Sequence, residues 1–183
     1  MPSGPGVIAE DTIAEISRYV PPPIATFLLT CATTTEAIVA QQRRCGTNTL
    51  QLCDYVAEGV YRDLRRELPG IALVQVIHVT GAEDVERARA AAPHVNALLL
   101  DSGNTTLAVK VLCGTGRTHD WATSRKIRDA VSVPVFLAGG LTAANVREAI
   151  ATVDPFGFDL CNGVRTDGRL DSAKLAAFVS AVG

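Results

Sequence analysis

The sequence is short of the features that mark several protein classes. Aromatic residues make up only 5% of its 183 residues, so few rings are present on which nucleic-acid bases could stack. Charges of the two signs nearly balance, with 17 Lys and Arg against 19 Asp and Glu, and no basic stripe is present. These two features argue against a nucleic-acid partner.

The sequence also has no long apolar run and no closely spaced pair of cysteines. The longest apolar stretches, such as residues 133–141, fall far below the ~20 residues that cross a bilayer, and residues 1–8 do not resemble an export signal. The five cysteines are widely spaced and contain no C-x-x-C pair, which argues against a disulfide framework or a zinc knuckle. No His, Asp or Glu grouping has metal-ligand spacing. We therefore expect a cytoplasmic protein with no membrane segment, metal or cofactor.

What the sequence does contain is an alternation of short apolar strands and amphipathic helices. Hydrophobic residues make up 48% of the chain. Their spacing predicts strands at residues 24–30, 49–53, 72–79, 97–101, 133–138 and 157–161. It predicts helices at residues 9–20, 33–45, 55–68, 83–92, 122–130, 143–153 and 171–182. Each strand is thus followed by a helix, and one further helix precedes the first strand.

Strands this apolar, joined by helices, predict a parallel sheet covered on its faces by helices. A doubly wound sheet would carry its glycine-rich phosphate turn after the first strand, whereas the glycines here follow the last three strands. Eight-stranded barrels place phosphate sites after their last two strands. We therefore predict an α/β fold of the (β/α)8 TIM-barrel class, with residues 1–183 as a single domain.

The predicted barrel is incomplete at its N-terminal end. Such barrels usually need at least ~200 residues, and this chain lacks the equivalent of a first strand-helix unit and a second strand. Two missing strands would leave unpaired backbone groups on both sides of a gap. We expect Met1 to be an internal methionine of a longer natural protein. The alternative is a short chain that closes the gap by forming a homo-oligomer.

Asp101 is the leading candidate for catalysis. The two-residue period of a strand places Ala97, Leu99 and Asp101 on one face, with the carboxyl group at the C-terminal rim. A carboxylate among leucines is disfavoured in its charged form, so its pKa should rise toward a value useful to a general acid. The alternative is that Asp101 caps the next loop or pairs with Lys110.

Two glycine turns form a candidate phosphate site. Gly139 and Gly140 follow a strand and precede a helix, so an anion could approach backbone N–H groups beside the positive end of that helix. Asn162 and Gly163 offer a second turn after the next strand, and the two turns together could hold one phosphate. The alternative is that both are ordinary strand-to-helix turns.

Several further residues are expected near the same rim. The connection at residues 103–120 contains Gly114 and Gly116 and is long enough to serve as a substrate lid. Asp159 and Cys161 share one face of the last predicted strand, where they either contact substrate or simply line the wall. His78, which ends its strand, is either a wall residue or a base.

Four segments resemble the phosphoribosylanthranilate isomerase family. They are Leu-Leu-Leu-Asp-Ser at 98–102, Gly-Thr-Gly-Arg-Thr-His-Asp-Trp at 114–121, Val-Phe-Leu-Ala-Gly-Gly-Leu at 135–141 with Asn145-Val146, and residues 159–164. Their order and spacing match across nearly the whole chain. The resemblance implies an eight-stranded (β/α) barrel and an Amadori rearrangement of an aldosylamine to a ketose in tryptophan biosynthesis. It gives Asp101 the role of the general acid that protonates the ribose ring oxygen.

The resemblance fails at one catalytic position. In the family the general base is a cysteine within a Lys-x-Cys-Gly motif on the first strand, and this sequence contains no such motif. The family's loop arginine that holds the anthranilate carboxylate also has no counterpart in residues 1–6. One alternative is therefore a catalytically impaired barrel that binds a sugar phosphate without turning it over. Another is that Cys161 substitutes as the base.

The sequence thus predicts an isomerase acting on N-(5-phosphoribosyl)anthranilate to give the carboxyphenylamino-deoxyribulose phosphate. Its partner is a small-molecule sugar phosphate, and Asp101 is the catalytic residue. The residues expected to bind the substrate or its phosphate are Gly114, Gly116, Gly139, Gly140, Asp159, Asn162 and Gly163.

Overall fold

The structure, a computed structural model, describes residues 7–102 and 120–183. It contains two compact units, the first formed by Met1–Val76 with Pro93–Ala97 and the second by Ile77–Ala92 with Leu98–Gly183. Six parallel strands follow one another in the sheet in chain order, which is the strand arrangement expected from the sequence. That the 183 residues form a single domain stays a prediction.

The strands are short and most are preceded or followed by a helix. The six sheet strands are β1 (Phe27–Thr30), β2 (Thr49–Leu52), β3 (Ala72–His78), β4 (Ala97–Asp101), β5 (Val135–Leu137) and β6 (Gly157–Phe158). A separate hairpin consists of β7 (Arg165–Thr166) and β8 (Arg169–Leu170). The helices are α1 (Glu10–Tyr19), α2 (Thr35–Cys45), α3 (Glu58–Glu67), α4 (Asp84–Ala91), α5 (Trp121–Ala130), α6 (Val146–Val153) and α7 (Ser172–Val182), with 3-10 turns at Ala92–His94 and Asn162–Val164.

The first unit is built on parallel pairing of β1 with β2 and of β2 with the start of β3. Its apolar core includes Ile38, Leu50, Leu64 and Leu73, all of them fully buried. The buried Gln75 amide is satisfied: its Nε2 donates to the carbonyls of Leu52, Asp54 and Val76, and its Oε1 accepts from the Tyr61 hydroxyl at 2.7 Å. A buried amide with its hydrogen bonds made is a structural group.

The second unit is built on parallel pairing of β4 with β5 and of β5 with β6. Leu98, Leu100, Ile127 and Leu137 are fully buried and supply its core. Because the three strands are parallel, their carboxyl ends lie at one edge of the sheet. The end of β4 and the loops that leave β5 and β6 therefore lie at this edge.

The prediction for the last strand is wrong in its length. β6 ends at Phe158 instead of reaching Cys161, although the Asp159 N–H still donates to the Leu137 carbonyl at 2.9 Å. The backbone leaves the extended region at Cys161, with φ −130° and ψ −86°, as the chain bends into the Asn162–Val164 turn. That bend brings Gly163 against the carbonyl of Leu141.

The β7–β8 hairpin was not predicted from the sequence. Its turn residues, Asp167 and Gly168, both have positive φ, +50° and +75°. Asp-Gly is a strong sequence signal for the two-residue hairpin turn that requires positive φ at both positions.

None of the helices within the described ranges is both long enough and apolar enough to cross a membrane.

Candidate functional site

The carboxyl ends of β4, β5 and β6 and the segments that follow β5 and β6 line an open cavity. Asp101 supplies one wall at the end of β4. The loop after β5 supplies residues 138–141, and the segment after β6 supplies residues 159–163. The structure therefore brings together seven of the residues singled out in the sequence, namely Asp101, Gly139, Gly140, Asp159, Cys161, Asn162 and Gly163.

Asp101 is buried, with 4% of its surface exposed. Burial raises the pKa of its carboxyl group from 3.8 to about 6, while the His78 imidazole and the Ser102 N–H lower it and the Asp159 carboxylate raises it. The Ser102 N–H donates to Asp101 Oδ1 at 2.8 Å. The carboxyl group therefore also caps the first backbone amide after β4, as the capping alternative predicts. Even so, the net effect of the surroundings favours the protonated form.

His78 ends β3 beside the candidate acid. The Val79 N–H donates to the Asp101 carbonyl at 2.9 Å, which joins the ends of the two strands. The His78 side chain is 2% exposed and lies near enough to lower the pKa of Asp101. His78 is therefore an electrostatic neighbour of the carboxyl group.

The loop after β5 contains two glycines in the left-handed region. Gly139 has φ +84° and Gly140 has φ +62°, a conformation that side-chain-bearing residues rarely adopt. A Cβ on Gly139 would lie 2.6 Å from Ser102 Oγ, so the loop also packs too closely on β4 for any side chain there. The bare backbone of both glycines lines the cavity, as an anion site requires.

Gly163 has a packing reason to be glycine. A Cβ at this position would lie 1.9 Å from the Leu141 carbonyl oxygen, so only glycine allows the two loops to approach each other. This contact places the glycine turn after β6 directly against the turn after β5, as the sequence interpretation expected.

Asp159 and Cys161 add a carboxyl group and a thiol to the cavity wall. Asp159 is exposed at the cavity wall, and the protein around it raises the pKa of its carboxyl group. Water screens an exposed group, so we expect the rise to be smaller than that at Asp101. Cys161 is half-buried, with its Sγ 3.7 Å from the Asn162 Oδ1.

The chain matches the model of the N-(5'-phosphoribosyl)anthranilate (PRA) isomerase family over residues 7–181. The N-(5'-phosphoribosyl)anthranilate isomerase of Haloferax volcanii is 38% identical over 178 residues, which cover 97% of this chain and 76% of that protein.

The chain belongs to the PRA isomerase family. The family resemblance seen in the four sequence motifs is thereby confirmed, and with it the assignment to an isomerase family of tryptophan biosynthesis.

Solved PRA isomerases share the fold. The phosphoribosyl anthranilate isomerase of Thermococcus kodakaraensis superposes with a TM-score of 0.78 at 28% identity, covering 96% of this chain and 81% of that chain. A PRA isomerase solved in complex with reduced 1-(o-carboxyphenylamino)-1-deoxyribulose 5-phosphate superposes with a TM-score of 0.75 at 24% identity, covering 95% and 79%. With six parallel strands and their helices, these likenesses confirm the predicted fold class, an α/β fold of the (β/α)8 type.

Two predicted substrate-binding residues, Gly114 and Gly116, lie outside the described residues, as does Lys110. Across residues 7–102 and 120–183, the His, Cys, Asp and Glu side chains form no group of three that could hold a metal ion.

Asn145 belongs to the family motif, but the sequence alone indicates no role for it. The structure shows its side chain bonded to the backbone of the glycine loop on the cavity wall. An asparagine three residues after the turn at Leu141-Thr142 is a sequence signal for such bonds, because asparagine side chains form hydrogen bonds to nearby backbone groups.

Proposed function

We propose that this chain rearranges N-(5'-phosphoribosyl)anthranilate to the carboxyphenylamino-deoxyribulose phosphate, with Asp101 as general acid. The observation that carries the proposal is one cavity that contains both a buried carboxyl group of raised pKa and two facing glycine turns. A sugar phosphate needs an anion site for its phosphate and a proton donor for its ring oxygen. The cavity offers both.

Asp101 would open the sugar ring. Its proton passes to the ribose ring oxygen, the C1–O bond breaks, and the nitrogen lone pair forms the C=N bond of a Schiff base. With a pKa of about 6, roughly one carboxyl group in ten is protonated at pH 7, which is enough for an acid that is reprotonated in each cycle. An ordinary aspartate would hold the proton about a hundred times less often.

The second step removes the proton from C2 of the Schiff base. The electron pair of that C–H bond forms the C1=C2 double bond while the C=N pair returns to nitrogen, which gives an enol-enamine. This becomes the ketose when C1 gains a proton and the C2 hydroxyl loses one. A base must accept the C2 proton, and the family resemblance assigns this step to a cysteine motif that is not found in these 183 residues. Cys161 lines the same cavity as Asp101 and is the thiol that the described part of the chain offers for this role.

The phosphate would bind at the glycine turns. Gly139 and Gly140 expose backbone without side chains, and the loop leads into α6, whose amino end favours negative charge. Asn162 and Gly163 close the opposite side, with Gly163 allowing the two loops to meet. Gly114 and Gly116 complete the proposed binding set, and Asp159 at the wall would orient the substrate.

The second candidate function is a cavity that binds a sugar phosphate without turnover. In this case Asp101 and the glycine turns would be retained and the proton-removing base would not. We also propose a homo-oligomeric state and a cytoplasmic location, the latter expected from the wide spacing of the cysteines.

The deciding experiment measures conversion of N-(5'-phosphoribosyl)anthranilate by the 183-residue chain and by Asp101→Asn. Turnover by the unaltered chain that collapses in Asp101→Asn supports the isomerase. Binding of a reduced product analogue without turnover supports the second function instead. Equal turnover in both proteins would remove Asp101 from the mechanism.

A further inference from the structure

Asn145 stands directly before α6 and turns its side chain back into the preceding loop. Its Oδ1 accepts a hydrogen bond from the Thr142 N–H at 2.8 Å, and its Nδ2 donates to the Gly140 carbonyl at 3.0 Å. Within the described residues this side chain makes no capping bond to α6 itself. A residue placed to cap a helix is instead bonded to both sides of the turn that precedes it.

The same loop is held at two further points. Gly139 packs on Ser102 at the end of β4, and the Leu141 carbonyl packs on Gly163 after β6. Asn145 ties together the backbone between these contacts. Its two hydrogen bonds use the carbonyl of Gly140 and the amide of Thr142, so the N–H groups of Gly139 and Gly140 take no part in them.

We propose that Asn145 is a positioning residue that holds the Gly139–Gly140 backbone in the conformation that binds the phosphate of the substrate. The inference rests on the proposed function, whose phosphate site it deepens. Two consecutive left-handed glycines lose more conformational freedom on ordering than any other residues would. A side-chain amide that bonds to the turn on both sides fixes this backbone before the anion arrives, so that binding does not have to order it.

The test uses inorganic phosphate as the probe and titration calorimetry on the 183-residue chain as the readout. We expect Asn145→Ala to bind phosphate about tenfold more weakly, the effect of losing a positioning hydrogen bond. The matched control is Asn96→Ala, which removes another loop asparagine whose Oδ1 accepts from a backbone amide, that of Leu73, at 2.9 Å. Asn96→Ala should keep the phosphate affinity of the unaltered chain.

Asn145→Asp is the second variant. It keeps an acceptor for the Thr142 amide but loses the donor to the Gly140 carbonyl, and it adds a negative charge next to the anion. We expect it to fold at least as well as Asn145→Ala and to bind phosphate more weakly still, with the loss reduced at high salt.

Three outcomes would overturn the inference. One is wild-type phosphate affinity in Asn145→Ala, and another is an equal loss of affinity in Asn96→Ala, which would show a general effect of destabilisation. The third is an unaltered chain that does not bind phosphate, because the phosphate site would then fall as well. Failure of isomerase turnover with Asn145-dependent phosphate binding intact would refute only the proposed reaction and would support the role of Asn145.

Discussion

Asp84 and Asp101 are both buried aspartates of the second unit, but they lie in opposite surroundings. Asp84 Oδ2 accepts from the Thr80 N–H at 2.7 Å, the Thr80 hydroxyl at 3.1 Å and the Gly81 N–H at 3.0 Å. Its Oδ1 accepts from Arg87 Nη1 at 2.8 Å. Asp101 accepts from the Ser102 amide, and burial dominates its titration.

The difference separates a structural carboxyl group from a chemical one. At Asp84, backbone amides, a hydroxyl and a guanidinium compensate the charge, so the carboxylate fixes the turn that begins α4. At Asp101 burial penalises the charge and raises the proton affinity of the carboxyl group. Burial is common to both residues, so it is the balance of donors against desolvation that marks the candidate site.

The largest expected effect is on turnover at Asp101. Asp101→Asn keeps the shape and removes the transferable proton, and general acid catalysis is worth about 100-fold to 10,000-fold. We expect kcat for N-(5'-phosphoribosyl)anthranilate to fall by that factor, measured by steady-state kinetics. The control is Asp84→Asn, whose rate per folded molecule should stay near that of the unaltered chain. A large loss of kcat in both variants would erase the distinction between the two carboxyl groups.

The second effect is on stability at Asp84. Asp84→Ala removes the acceptor of the Thr80 and Gly81 amides and the ion pair with the half-exposed Arg87 side chain. We expect the free energy of unfolding to fall by about 3 kcal/mol, mostly because two backbone amides lose their acceptor. Urea unfolding followed by circular dichroism measures it. A change below about 0.5 kcal/mol would mean that the four hydrogen bonds contribute little.

The third effect has the opposite sign and belongs to Asp101. Because its folded-state pKa is about 6 against 3.8 in the unfolded chain, protonation favours the folded state. That stabilisation is fully present below pH 3.8 and is lost as the pH rises through about 6. Asp101→Asn does not titrate, so at pH 7 it should be more stable than the unaltered chain, by up to about 3 kcal/mol. Urea unfolding at pH 7 and pH 4 measures this advantage, which should shrink at the lower pH.

Much of this region could be predicted from the sequence. The strand period placed Asp101 at a rim, and the glycine positions placed the two turns beside it, because parallel strands bring their carboxyl ends to one edge. The distinction between Asp84 and Asp101 could not be predicted in this way. It depends on donors that come from a turn and a helix, and on how much protein surrounds each group.

Other details depended on particular contacts made in the folded chain. β6 ends early because the chain bends at Cys161, and this bend places Gly163 in contact with the Leu141 carbonyl. The late start of α6, at Val146 instead of residue 143, follows from the backward bonds of the Asn145 side chain. Local patterns of hydrophobicity predict that a strand and a helix exist but do not specify such bends.

The smallest expected effect concerns the neighbours of the two carboxyl groups. The His78 imidazole lowers the pKa of Asp101, so His78→Gln should raise that pKa further and move the Asp101 titration upward. Carboxyl carbon NMR measures the shift. The matched control is Arg87→Gln beside Asp84, which should leave the Asp101 titration in place and lower stability by about 1 kcal/mol, because the Arg87 side chain is half exposed. An unmoved titration in His78→Gln would mean that burial alone sets the proton affinity of Asp101, and that the acid gains its character from its position in the strand rather than from its charged neighbours.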